Sequence, residues 1–189
     1  MAVAQTGVPG LDSDDSFCAA WSRFGGSWQV LVQAGASLDP AEVARLEVVA
    51  SALVEGAYND VFAAWPAELE TERDVVADGY FGAFRRRSDD AAFALSNAGA
   101  TDDDRTRLAT AWAEALERYD PAAPAVDVAV PDELGPLVDT AAGAFAQQRV
   151  PLPTDPTMVV TVDTPLTDEF LASACPDQGW IVGQDVVGG

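Results

Sequence analysis

Apolar residues recur at helical spacing over most of the first 120 positions. Phe17, Trp21, Phe24, Trp28 and Leu31 alternate at intervals of four and three, so they share one face and predict a helix over 13–34. Asp14, Asp15 and Ser16 stand where anionic groups suit the positive end of a helix. The Gly25-Gly26 pair interrupts the stripe and predicts a kink or a break. Four aromatics on one stripe read as core rather than as a ligand groove.

The next helix is expected over 39–64. Asp39-Pro40-Ala41-Glu42 supplies a capping residue, a first-turn proline and the reciprocal glutamate in order. Val43, Leu46, Ala50, Leu53 and Ala57 continue its apolar face, and Gly56 marks an early end with a further turn over 58–65. Pro66 opens a third helix reaching Arg87, with Leu69, Val76, Tyr80 and Phe84 on one side. Its last turn holds Arg85-Arg86-Arg87, where cations complement the helix dipole. Ser88 then caps a short helix over 89–98. Thr101 caps another over 102–119, whose stripe is Leu108, Trp112, Ala115 and Tyr119.

Character changes after Asp120. Residues 120–131 are proline-rich and carry Val126, Val128 and Val130 in alternation, and 150–165 carry Val159, Val160 and Val162. These two runs pair as a small β-ribbon or lie as extended segments over the bundle. A helix over 132–148 separates them, with Leu134, Leu137, Val138, Ala141 and Phe145 inward, and a last helix runs from Thr164 to Cys175. The predicted fold is therefore all-α: an irregular bundle of about five to seven helices with a proline-rich extended segment or ribbon in the C-terminal third. A flexible tail is expected over 1–12, one helical domain over 13–176 with 121–163 as an insert, and an extended tail over 177–189. No internal repeat is present.

Charge narrows the chemistry. Ten basic residues face 31 acidic ones for a net charge of −21, and all ten are arginine. Such a field disfavours nucleic acid and anionic lipid, and leaves a protein or a neutral or cationic ligand as partner. Solubility and a biased composition account for the acidity more simply than a dedicated acidic site. Without histidine there is no Ser-His-Asp triad and no imidazole metal ligand. Without lysine there is no Schiff base and no P-loop. The aspartate runs 12–15 and 102–104 lack the alternation, the glycine and the closing glutamate of a calcium loop. They are read as helix starts. No metal and no cofactor is expected.

No stretch approaches the roughly 18–20 apolar residues of a membrane span. The first ten residues have no basic start and no long apolar run, so they are not a signal peptide. Residues 2–10 read as a mature tail left by signal removal. The two cysteines are consistent with one bridge or with two buried thiols. Their positions favour a bridge, because Cys18 opens the first helix and Cys175 closes the last. The closed loop spans 157 residues, which in the loop-entropy treatment stabilises by at most about 5 kcal/mol. A bridge places the protein in an oxidising, extracytoplasmic compartment.

The segments Phe17-Cys18-Ala19-Ala20-Trp21 and Leu171-Ala172-Ser173-Ala174-Cys175-Pro176, with Trp65-Pro66-Ala67-Glu68-Leu69 between them, resemble a loose group of uncharacterised secreted or lipoprotein-like helical proteins of actinobacteria. The resemblance covers 15–120 and 164–180, and the 121–163 insert departs from it. It implies a helical bundle with the early and late cysteines paired, and it implies no activity.

A carboxylate-only hydrolase would need two acids about 5–10 Å apart beside aromatic platforms. The acidic clusters fall at helix starts or on solvated faces, and the tryptophans fall mostly on core stripes. The reading reached is a non-catalytic extracytoplasmic binding protein. A self-assembling surface subunit, adding strands through the valine runs, is the alternative. No catalytic residue is assigned.

Overall fold

The computed structural model describes residues 7–120, 126–148 and 163–175. Among them lie seven α-helices and no strand, an irregular all-α bundle. Its centre is α2 (Pro40–Ala63), which touches α1 (Ser16–Ser37), α4 (Gly82–Asn97), α5 (Asp102–Arg118) and α6 (Gly135–Gln148).

Helix α2 starts as its sequence predicts. The Asp39 carboxylate accepts from the N–H groups of Ala41 and Glu42, and the Glu42 carboxylate accepts in return from the Asp39 N–H. The helix does not end at Gly56. Ala57 and Val61 continue the buried stripe, so burial outweighs the low propensity of one glycine.

Helix α1 also runs unbroken, straight through Gly25-Gly26. Both glycines are buried, and a Cβ on Gly26 would run into Val8 Cγ1. The missing side chain of Gly26 admits a close neighbour. That neighbour is the N-terminal segment. Residues 7–12, expected within a flexible tail, are packed instead. Gly7 donates to the Tyr119 carbonyl (2.7 Å) and Val8 to that of Leu116 (2.8 Å), satisfying acceptors that the end of α5 leaves open. Gly7 adopts φ +94°, and a Cβ there would meet the Glu117 carbonyl oxygen at 2.6 Å. Both facts reserve the position for glycine.

The expected helix from Pro66 to Arg87 is replaced by three short pieces. A 3-10 turn (Ala67–Glu72), α3 (Arg73–Val75) and a wide π turn (Val76–Tyr80) precede α4. The π turn closes with the Phe81 N–H on the Val76 carbonyl (3.1 Å). It delivers the Phe81 ring into the aromatic half of the core, 4.3 Å from Phe24 and 4.8 Å from Trp21. Helix α4 then passes through Ser88, which is buried mid-helix rather than capping a new one. Arg85, Arg86 and Arg87 therefore lie near the start of a helix. They do not complement a C-terminal dipole, and partners described below hold two of them.

Helix α5 begins with the predicted cap. Thr101 Oγ1 accepts from the Asp104 N–H, and the Asp104 carboxylate accepts from the Thr101 N–H. The Thr101 N–H and the Thr101 hydroxyl both donate to the Asp104 carboxylate and hold it below its ordinary pKa. Trp112 is fully buried, and its Nε1–H donates to Ser27 Oγ of α1 at 2.9 Å. Residues 126–130 form no strand. Val126, Val128 and Val130 are half-buried on the core while Asp127 and Ala129 face outward, so the alternation marks an extended strap. Val159, Val160 and Val162 lie outside the described residues. A 3-10 turn (Asp132–Leu134) leads into α6, and α7 (Pro165–Ala174) is the last helix among the described residues.

Candidate functional site

The two cysteines come together where α7 meets the start of α1. Cys18 lies in the first turn of α1, where its N–H donates to the Asp15 carboxylate (3.0 Å). Cys175 caps the C-terminal end of α7, its N–H on the Leu171 carbonyl (3.0 Å). Their Cα atoms are 5.5 Å apart, within the span of a disulfide, and the structure joins them. This is the junction that the positions of Cys18 and Cys175 suggest.

The opposite end of α7 is held by a residue to which the sequence assigns no role. Glu72 ends the first 3-10 turn and is buried. Its carboxylate accepts from the Leu166 N–H (3.0 Å), the Thr167 N–H (2.8 Å) and the Thr167 hydroxyl (2.8 Å). An acid thus caps a helix from 94 residues away in sequence, at the end where the dipole favours a negative charge. Burial pushes this carboxyl up, but the three hydrogen bonds outweigh it and keep the group below its ordinary pKa. Between the two attachments, the Phe170 ring meets Phe17 edge-on at 5.6 Å. Phe17 also meets Trp65 at 5.4 Å, and Trp65 stacks on Phe62.

A second place gathers functional groups. Phe24, Val54, Glu55, Tyr58, Asn59, Arg85, Ser88 and Asp89 line a cleft of about 60 Å³ between α2 and α4. The Arg85 guanidinium lies over the Tyr58 ring at 4.7 Å and pairs with Asp89 at 3.7 Å. Glu55 faces Arg105 at 3.8 Å. Two carboxylates and an aromatic ring are thus present, the set a carboxylate hydrolase would use. Both acids are half-exposed beside arginines, however, and the space holds a few waters rather than a sugar ring.

Arg87 is the member of the arginine triplet that turns inward. It grips Glu47 of α2 with Nε (3.2 Å) and Nη2 (2.9 Å) and lies over the Phe145 ring of α6 at 5.9 Å. Glu47 is 1% exposed in its side chain and Arg87 15%, so this is a buried ion pair joining three helices. Its role is structural.

Among the described residues, no three acidic or cysteine side chains converge as metal ligands, and no helix is long and apolar enough to cross a membrane. No family model, no curated protein and no solved structure matches the chain.

Proposed function

We propose that the chain is a non-catalytic extracytoplasmic binding protein that meets a neutral or cationic partner with its outer surface. The distribution of its charges carries this reading. Seven arginines are turned onto carboxylates of the same fold: Arg45, Arg73, Arg85, Arg87, Arg105, Arg107 and Arg118. Further acidic residues are exposed, among them Asp14, Asp60, Asp74, Asp90 and Asp103. A one-signed field of this kind speeds encounters with cationic surfaces and opposes nucleic acid. The small size of the cleft directs recognition to the surface, and the Cys18–Cys175 pair supports an oxidising compartment. Assembly through strand addition draws less support, since Val126, Val128 and Val130 face their own bundle.

Two measurements test the proposal. Titration calorimetry with cationic, neutral and anionic peptide probes at low and physiological salt should give binding that weakens with salt for the cationic probe and none for the anionic one. Equal behaviour of all three removes the charge-based reading. Intact mass of native protein, alkylated with and without reductant, should show no free thiol before reduction. Two alkylated thiols in the untreated sample overturn the extracytoplasmic assignment.

A further inference from the structure

Among the described contacts, three fasten helix α7 to the bundle. Its first N–H groups bind Glu72, its Phe170 ring meets Phe17, and the residue after its last turn is bridged to α1. Within the helix only Thr167 and Leu171 are buried. Ten residues with so narrow an apolar face do not hold a helix in water unaided. The rest of the fold is differently built. Helices α1, α2, α4, α5 and α6 pack on one another directly, with α2 at the centre. Cys18 is fully buried and Cys175 is 4% exposed, so the bridge is enclosed while α7 is seated. Thiol–disulfide exchange needs a thiolate to reach one of the sulfurs. The seated helix denies that approach, and the Glu72 contacts help to keep it seated.

We propose that α7 is a redox latch, released by a dithiol reductant and gated by Glu72. When the Glu72 hydrogen bonds open, α7 lifts and its cysteine becomes reachable. A thiolate of the dithiol attacks one cysteine sulfur, forms a mixed disulfide and expels the other cysteine as thiolate. The second sulfur of the dithiol then displaces the first cysteine. The Cys18–Cys175 bond is broken, two electrons have passed from the dithiol, and its two protons end on the cysteines. The reductant leaves as its own disulfide. Without the bridge α7 detaches and uncovers Phe17 beside Trp65, while the five-helix bundle remains folded.

The test uses the full oxidised chain with dithiothreitol at neutral pH. Free thiols are counted by alkylation and mass, and amide exchange is followed by mass spectrometry. Reduction should remove protection from 163–175 and from 67–72, and leave α1, α2, α4, α5 and α6 protected. Glu72→Gln places an amide NH₂ against N–H donors and should speed reduction about tenfold or more, given the strength of hydrogen bonds to a charged acceptor. Thr167→Val removes only the hydroxyl bond and should speed it less; it serves as the test if Glu72→Gln does not fold. Loss of protection throughout the bundle on reduction would make the bridge a staple of the whole fold and overturn the latch. So would unchanged protection of 163–175 after reduction, or a bridge that dithiothreitol does not reduce. Equal reduction rates in the wild type and the variants overturn the gate.

Discussion

Replacing Glu47 by leucine and Arg87 by methionine, singly and together, probes the buried pair at the α2–α4–α6 junction. Each single change keeps side-chain volume and removes one charge. Removing one partner of a buried pair costs about 3–5 kcal/mol, because the other charge remains enclosed without it. The exposures place the two singles within that range. Arg87 is 15% exposed and can turn towards water, so Glu47→Leu should fall near the low end, about 3 kcal/mol. Glu47 is 1% exposed and cannot, so Arg87→Met should cost more, near about 5 kcal/mol. The double replacement removes both charges of the pair and should lie within about 1–2 kcal/mol of wild type, since apolar substitutes for buried pairs are often neutral. Urea unfolding followed by circular dichroism gives all four stabilities, with unchanged m-values as the check that the unfolded state is comparable. A Glu47→Leu cost below about 1 kcal/mol, or a double variant whose loss equals the sum of the singles, would refute the reasoning.

Gly26→Ala should destabilise by about 1–3 kcal/mol, because Val8 cannot retreat without breaking its bond to the Leu116 carbonyl. Adding Val8→Ala should restore much of the loss in thermal melts, and no restoration would count against the contact. Ser27→Ala removes the acceptor of the buried Trp112 Nε1–H and should cost about 1–3 kcal/mol, whereas Ser27→Ala with Trp112→Phe should cost less than the two singles added. For Glu72 the folded carboxyl lies below its unfolded value, so its contribution is complete above the unfolded pKa of about 4.3 and is lost as pH falls through the lowered folded value. Comparing wild type with Glu72→Gln across acid pH should therefore show the gap between them closing as pH falls. A constant gap would remove Glu72 from the acid response.

What the sequence reveals here is what neighbouring residues decide among themselves. The caps at Asp39 and Thr101 are built from side chains three positions from their partners, and both stand where the pattern puts them. The apolar stripes identify the core face of each long helix. Failures occur where a distant contact overrides a local preference. Gly25-Gly26 has the propensity of a break, but the helix runs on, and Val8 needs the space that the missing side chain of Gly26 leaves. Ser88 has the chemistry of a cap, yet the break comes earlier, where seating Phe81 between Trp21 and Phe24 requires a wide turn. That displacement moves Arg85, Arg86 and Arg87 from a helix end to a helix start, which is why Arg87 reads as dipole complementation and acts as a buried tie. Glu72 is the clearest loss. It sits among Glu68 and Glu70 with nothing local to distinguish it, and its partners are 94 and 95 residues away. The cysteines were legible for the opposite reason: there are two of them, and each marks a helix end.

That pair also shapes how the chain reaches its finished state. With two cysteines there is a single intramolecular pairing, so oxidation within one molecule has no wrong product to correct. Forming the bond needs an oxidant, and no reshuffling among the cysteines of one chain. Because the partners are 157 residues apart, the bond can close only after the chain has been synthesised as far as Cys175. Until then Cys18 is a thiol in the growing chain, and its available error is to join a second chain. Quality control for this protein is thus a matter of keeping nascent copies apart, not of sorting partners within one.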